Sequence, residues 1–319
     1  MSQIDYRPYM AGDEHAILAL FAESFSGRTM TRDYWTWRFR DNPTGQILIE
    51  LAWHREKLVA HYAVSPVRMS VGGEDGLCGL SVTTMTHPDY RGRGLFPILA
   101  DRLYRRIAQI GYTMVWGFPN KNSREGFMNK LGWRDICEIP MLAIDLKDMR
   151  YGLESFTGIE EPMDFDERFS DLWNPISGRH AIVVKRDLKY LRWRFGSHPE
   201  NKYNLVCRTD ARGLLGYAVW KLYEQREIEI VDLITADDES VGTSLVKAVL
   251  GIGLRLEVES VRMWLPRHNA VRANLENIGF QERPPWIYFG ARLLNSLPRG
   301  QDFFSESSWH YSMSDSDVF

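Results

Sequence analysis

An internal repeat constrains the fold of this chain more than any other feature of its sequence. The segment Tyr34–Phe39 and the following Pro43 return 156 positions later as the segment Tyr190–Phe195 and Pro199. A second match, at an offset of 147, pairs Pro119, Asn122 and Gly132 with Pro266, Asn269 and Gly279. Several identities in one order predict two homologous units, residues 1–150 and 151–297, followed by a tail, residues 298–319.

Hydrophobic periodicity predicts the same order of elements in both units. In the first unit we expect helices at 14–25, with Asp13 as N-cap, 95–109 and 122–131, and strands at 47–53, 58–69, 77–86 and 112–118. In the second we expect strands at 203–207, 214–222, 227–235 and 261–265, and helices at 241–256 and 268–278. This plan indicates an α+β fold. Four aromatic residues predict that part of the polar tail docks: Phe303, Phe304, Trp309 and Tyr311.

Composition narrows the class of protein. Hydrophobic residues make up 44% and charged residues 25% of the 319 residues, as in folded soluble domains. The net charge of -3 counts against nucleic acid as the main partner. Three cysteines without a CxxC pair disfavour a zinc site and indicate reduced thiols. With no signal-peptide pattern and no long apolar stretch, we expect a cytoplasmic protein without a membrane segment or a metal ion.

One short loop carries the strongest chemical signal. A predicted strand ends at Thr86, the segment Arg91–Gly94 reads Arg-Gly-Arg-Gly, and a predicted helix begins at Leu95. Glycines allow several backbone N–H groups to converge on one point, and the start of a helix adds unpaired donors and partial positive charge. The loop is therefore expected to bind an anion such as a pyrophosphate, with Arg91 and Arg93 adding full charges. It matches neither a Walker A loop nor the GxGxxG fingerprint.

These residues resemble a motif of the GNAT (Gcn5-related N-acetyltransferase) superfamily, in its tandem two-unit type. The family's Arg/Gln-x-x-Gly-x-Gly/Ala loop is similar to Arg91–Phe96, and Asn122 with Gly132 and Trp133 resembles the family's next motif. The resemblance implies that each unit has a mixed, mostly antiparallel central sheet flanked by helices. It also implies that acetyl-CoA, or another short acyl-CoA, is the co-substrate. The contacts that it assigns to this co-substrate are Thr84, Met85, Thr86, Arg91, Gly92, Arg93, Gly94, Leu95, Phe96 and Asn122.

Three departures from the family pattern bear on this expectation. Phe96 occupies the last Gly/Ala position of the loop. Met128 stands where many members have the tyrosine that protonates the leaving thiolate. The second unit has Asp237, Asp238 and Glu239 in place of the Gly-Arg loop, and carboxylates repel a pyrophosphate. We therefore expect one acyl-CoA site, in the first unit, and a degenerate second unit that builds the acceptor pocket or an interface.

The general base is less well determined. Many relatives have a glutamate on the third strand, but residues 77–81 contain no carboxylate. His61 is a candidate because it lies on a strand that bounds the predicted cleft. Asp232 is a candidate because it is a carboxylate in an otherwise apolar strand. The alternatives are Tyr62, His87 and the terminal carboxylate of Phe319.

The resemblance implies an N-acetyltransferase that moves an acetyl group to a primary amine by direct attack on the thioester. The expected acceptor is a small molecule, such as an amino sugar or an amino-acid-like amine, and a homodimer is possible. Two other functions stay open. With Met128 in the acid position and no obvious base, the protein could be an acyl-CoA sensor or scaffold. Fem-type aminoacyl transferases also pair two such units, although the intact loop and the net charge of -3 count against that function.

Overall fold

The computed structural model describes residues 3–149, 157–236, 238–296 and 302–317. The strands are β1 (Ile4–Pro8), β2 (Leu48–His54), β3 (Lys57–Val71), β4 (Glu74–Thr86), β5 (Met114–Gly117), β6 (Arg134–Asp145), β7 (Ile159–Glu160), β8 (Ile182–Val184), β9 (Asn204–Asp210), β10 (Gly213–Tyr223), β11 (Glu227–Thr235), β12 (Ser260–Met263) and β13 (Gln281–Leu293). The α-helices are α1 (Glu14–Ser24), α2 (Arg32–Trp35), α3 (Leu95–Gln109), α4 (Lys121–Leu131), α5 (Glu167–Ile176), α6 (Leu188–Leu191), α7 (Glu239–Arg255) and α8 (Val271–Ile278). The α+β prediction is confirmed.

The chain divides into two compact units. Unit 1 comprises Met1–Met69, Asp75–Cys137 and Tyr288–Gly300, and unit 2 comprises Ser70–Glu74, Glu138–Ile287 and Gln301–Phe319. These limits do not coincide with the simple division expected from the repeat, because each unit also takes segments from elsewhere in the chain. The predicted boundaries at residues 150 and 297, together with Asp237 and Phe319, lie outside the described residues.

The sheet of unit 1 is antiparallel except for one strand pair. Its strand order is β1-β2-β3-β4-β5, and the end of β13 completes it. Strand β4 pairs with β5 in parallel, and β5 pairs with β13 in the antiparallel sense through residues 290–293. Helix α3 buries one apolar stripe in the core of this unit, formed by Leu95, Leu99, Leu103 and Ile107.

Helix α3 is anchored on its basic face by one buried carboxylate. Glu50 of β2 is 2% exposed and accepts from Arg102, at 3.3 Å, and from Arg106, at 3.1 Å. The basic face of the helix is therefore mainly paired rather than solvated. Asp13 precedes α1, as expected, but its carboxylate pairs with Arg7 at 2.7 Å instead of capping the helix.

Unit 2 repeats this layout. Its strand order is β6-β12-β11-β10-β9-β7, in which the β11–β12 pair is parallel and the pairs on either side of it are antiparallel. Helix α7 packs its apolar residues into the core of this unit, among them Leu245, Val249 and Leu250. Helix α5 was not predicted from the sequence, although Asp166 caps it by accepting from the N–H of Arg168.

The last strand of each repeat completes the sheet of the other unit. Residues 142–145 of β6, which follow α4 in the chain, pair with β12 in unit 2. Residues 290–293 of β13, which follow α8 in the chain, pair with β5 in unit 1. This exchange explains why the compact units differ from the repeat limits in the sequence.

The repeated aromatic segments adopt the same unusual backbone in both units. Each forms a π-helical turn, at Thr36–Arg40 and at Arg192–Gly196, after a short α-helix that is capped by Thr31 or Asp187. The aromatic residues Trp37, Phe39, Trp193 and Phe195 are buried. Their burial agrees with the interpretation of these segments as core anchors.

Part of the tail docks in unit 2, as predicted. Phe303, Trp309 and Tyr311 are buried, and the indole Nε1 of Trp309 donates to the carbonyl of Phe303 at 2.8 Å. Among the described residues, no helix is both long enough and apolar enough to cross a membrane.

Candidate functional site

The Gly-Arg loop of unit 1 presents a row of free backbone donors. Gly92 and Gly94 have φ angles of 76° and 75°, in the left-handed region that favours glycine. Gly94 is the N-cap of α3. Within the described part of the chain, no group accepts from the backbone N–H groups of residues 92–96. The loop can therefore bind an anion at the positive end of the helix.

The loop is held by contacts that leave positive charge at its surface. The guanidinium of Arg91 donates to the carbonyls of Thr86, at 3.3 Å, and Ser24, at 3.1 Å. The guanidinium of Arg93 donates to the carbonyl of Asp89 at 2.9 Å. Both side chains are exposed. His87 supports the preceding turn by accepting from the N–H of Asp89.

Beside the loop, β4 and β5 diverge. Their parallel register covers Gly79 with Val115 and Leu80 with Trp116, and β4 continues beyond this register to Thr86. The predicted contacts Thr84, Met85 and Thr86 lie on this extension, although Met85 is buried. The extended end of β4 and the Gly-Arg loop therefore follow one another along the chain in unit 1.

A strained residue lies within β4 near its end, and His61 supports its backbone. Thr83 has a φ of 50°, which is unfavourable for a β-branched residue. Its carbonyl accepts from Nδ1 of His61 at 2.8 Å. His61 is 1% exposed, and burial lowers its pKa to about 4. The imidazole is therefore neutral near pH 7, and its geometry indicates a residue that positions the β4 backbone.

The N-terminus of α4 differs from the expected one. Asn120, not Asn122, caps this helix, because its side chain accepts from the N–H groups of Asn122 and Ser123. Asn122 is exposed in the first turn. Phe96 packs against Phe127 at a ring-centroid distance of 4.9 Å. A Cβ atom on Gly126 would lie 2.8 Å from the Phe96 ring, so the glycine in α4 accommodates the bulk of Phe96.

A chain of hydroxyl groups reaches the point where β4 and β5 diverge. The indole of Trp133 donates to the Tyr104 hydroxyl at 3.0 Å, and the hydroxyls of Tyr104 and Tyr62 are 2.6 Å apart. Tyr62 in turn donates to Oγ of Ser81 at 2.9 Å. Burial raises the pKa of both tyrosines, so both stay protonated. Ser81, which is partly exposed, can then donate its own proton outward.

No sequence pattern singled out Ser81. The spacing of Tyr62, Ser81 and Tyr104 along the chain has no regular period, and only the pairing of strands with α3 brings their hydroxyls together. Met128, at the position of the family's tyrosine, contacts the apolar core of unit 1. The hydroxyl chain ending at Ser81 is thus the polar feature that the structure adds to this site.

The side chain of Asp232 is fully paired with neighbouring groups in unit 2. Its carboxylate is buried and accepts from Arg186 at 3.1 Å, from Ser312 at 2.8 Å and from Tyr217 at 3.3 Å. Arg186 also pairs with Asp315 of the tail at 2.8 Å. The catalytic role expected for Asp232 is replaced by a role in docking the tail, because a carboxylate with these partners is not available to an amine.

The geometry of unit 1 agrees with a comparison of sequence families. Residues 5–136 match the family model described as an acetyltransferase (GNAT) domain. This segment is a GNAT domain. The match includes the Gly-Arg loop, α3, β5 and α4, and it ends before the main segment of unit 2, Glu138–Ile287. That the second repeat is a degenerate GNAT unit stays a prediction. No curated protein sequence matches the chain.

Solved structures share the fold over nearly the whole chain. A probable N-acyltransferase from Enterococcus faecalis V583 has a TM-score of 0.71 at 15% identity, covering 92% of this chain and 73% of that one. A GCN5-related N-acetyltransferase from Anabaena variabilis has a TM-score of 0.72 at 12% identity, with the same coverage. Saccharomyces cerevisiae N-myristoyltransferase with bound myristoyl-CoA has a TM-score of 0.63 at 11% identity, covering 91% of this chain and 83% of that one. At these identities the similarity shows a common fold.

Proposed function

We propose that the protein is an acyl-CoA-dependent N-acyltransferase that transfers an acetyl group to a primary amine of a small molecule. The observation that carries the proposal is the row of N–H groups at residues 92–96, which have no acceptor among the described residues and follow the diverging end of β4 after a short turn. A pyrophosphate matches the loop, and an extended arm matches the strand edge. N-myristoyltransferase, which has this fold, binds an acyl-CoA.

In the proposed reaction, the main task of the protein is to place the amine next to the thioester. The neutral amine attacks the thioester carbonyl, a C–N bond forms, the C–S bond breaks, and the CoA thiolate leaves. The nitrogen releases one proton to solvent as the amide forms. Holding the two reactants in line supplies much of the rate enhancement. Loop and strand hold the acyl-CoA, and His61 holds the backbone of β4 through the carbonyl of Thr83.

Ser81 offers a donor for the leaving group. Its hydroxyl accepts from Tyr62 and can donate to the sulfur as negative charge develops there. The buried tyrosines polarise this donor without losing their protons, because burial raises the pKa of each. The thiolate then takes its proton from solvent. No side-chain base is assigned, since His61 is buried and neutral and Asp232 is paired in unit 2.

The test combines binding and turnover. Calorimetry of the full chain with CoA and with acetyl-CoA should show saturable binding at one site. A thiol-release assay with a panel of primary amines should then show turnover above hydrolysis for at least one amine. Failure to bind either ligand would contradict the proposal. Binding without amine-dependent turnover would favour the alternative function of an acyl-CoA sensor. Met128 supports that alternative because it stands where many family members have the proton-donating tyrosine.

A further inference from the structure

Unit 2 contains a cavity where its own parallel strand pair diverges. The register of β11 with β12 covers residues 227–230 and 260–263, and β11 then continues to Thr235. The cavity has a volume of about 340 Å³. The end of β11 lines one side, Pro266 and residues 268–271 line another, and the tail contributes His310.

The cavity occupies the position in the second repeat that corresponds to the acyl-CoA site in the first. Pro266 and Asn269, which line it, correspond to Pro119 and Asn122 by the offset of 147. The two sites differ in charge. At the start of α7, the cavity is lined by Asp238 and Glu239 instead of by a Gly-Arg loop. A phosphate group is disfavoured there, because two carboxylates would repel it.

One buried polar atom in the cavity wall lacks a partner. Nε2 of His310 makes no hydrogen bond to any described group, and the residue is 5% exposed. Burial, with smaller contributions from His180 and Arg186, holds the pKa of His310 well below its usual range. A neutral imidazole nitrogen that is buried without a partner costs free energy, and a ligand that supplies a hydrogen bond would recover it.

The remaining lining defines the chemistry of this ligand. Ile176, Leu233 and Val271 provide apolar surface, and no lysine or arginine lines the cavity among the described residues. His180 and His268 lie near His310 in the lining, but no group of three or more His, Cys, Asp or Glu in the described ranges is arranged to hold a metal ion. The acidic residues therefore favour an organic cation over a coordinated metal.

We propose that this cavity is a second ligand site, which binds a small organic ammonium compound with an apolar body. The apolar part lies against the aliphatic wall, the ammonium group faces Asp238 and Glu239, and a polar group of the ligand pairs with Nε2 of His310. This proposal does not rest on the proposed acyl transfer in unit 1.

The test uses three probes of similar shape and different charge: 2-phenylethylammonium, neutral 2-phenylethanol and anionic 3-phenylpropanoate. Binding to the full chain is measured by calorimetry and by the imidazole proton signals in NMR. We expect saturable binding of the ammonium compound, roughly tenfold tighter than that of the anion. No saturable binding of the ammonium compound, or equal affinity for all three probes, would overturn the proposal.

Variants locate the binding. Ala270 is exposed at the cavity, so Ala270→Trp should obstruct it without disturbing the core and should abolish binding. The double variant Asp238→Asn, Glu239→Gln keeps the helix cap at position 238 and should reduce the preference for the cation at least about threefold. Glu167→Gln, which removes an exposed first-turn acid from α5, is the matched control and should change nothing. Unchanged binding in Ala270→Trp, with the fold verified by circular dichroism, would place the ligand elsewhere and refute the assignment.

Discussion

The substitution Gly94→Asp places a negative charge where the pyrophosphate is proposed to bind. The new carboxylate and two phosphate charges at a separation of roughly 5 Å repel each other by about 1.7–3.3 kcal/mol, for an effective dielectric constant of roughly 80 to 40. The dissociation constant for CoA should therefore rise roughly 15- to 250-fold. The fold should tolerate the change, because a Cβ atom at this glycine would have no other atom within 4 Å. The left-handed backbone adds a strain of about 1 kcal/mol.

Gly94→Asn is the matched control, since asparagine has nearly the same shape, caps helices and adopts the left-handed conformation without the charge. Calorimetry should show CoA binding by Gly94→Asn within a few-fold of the wild type, and thermal denaturation should give similar midpoints for both variants. The penalty in Gly94→Asp should shrink as salt concentration rises. If Gly94→Asp and Gly94→Asn bound CoA equally well, the phosphate would not lie at this loop, and the assigned site would be wrong.

Four further predictions concern catalysis and stability. Ser81→Ala should lower kcat for thiol release about tenfold and leave the Kd of acetyl-CoA within about twofold, because the hydroxyl acts on the leaving group; an unchanged kcat would remove Ser81 from the mechanism. Because no side-chain base is assigned, log(kcat/KM) should rise with unit slope up to the pKa of the acceptor amine itself and shift with that pKa from one amine to the next; an inflection common to all amines would reveal a base on the protein. His61 has a pKa of about 4 when folded and near 6.5 when unfolded, so the unfolded state binds the proton first on acidification, and stability should fall by about 2 kcal/mol from pH 7 to pH 5; urea unfolding should show that the fall is smaller in His61→Gln, and an equal fall in both proteins would contradict the burial of a neutral imidazole. Asp232→Asn should reduce the free energy of unfolding of unit 2 by about 3 kcal/mol, with CoA affinity retained; calorimetric unfolding with a loss below about 1 kcal/mol would show that the buried ion pair matters little.

Local patterns predicted the bounds of individual elements in both units. The bounds of α3 follow from its apolar stripe, which begins directly after Gly94, and β11 follows from an apolar run between polar turns. These signals depend on residues that are close in the chain, and the structure reproduces both bounds as predicted. The same apolar patterns, in the strand before it and the helix after it, predicted the position of the Gly-Arg loop between β4 and α3.

Properties that depend on distant residues could not be predicted in this way. A histidine in a strand and a carboxylate in an apolar strand leave open whether the group is solvated or paired. For His61 the partner is a carbonyl 22 residues away, and for Asp232 one partner is Ser312, 80 residues away. The hydroxyl chain that ends at Ser81 has the same origin, since three elements bring it together. The helix cap at Asn120 was missed for a local reason, because two neighbouring asparagines have equal capping propensity.

The exchange of final strands has a consequence for synthesis on the ribosome. Strand β5 ends at Gly117, but β13, which pairs with it in unit 1, ends at Leu293, 176 residues later. At roughly 5–20 residues per second, the nascent chain exposes that edge for roughly 10–35 s before the missing strand is made. During this interval the exposed backbone groups can pair with another polypeptide. A truncated protein that ends near residue 150 should therefore aggregate, even though it contains every residue of the proposed acyl-CoA site.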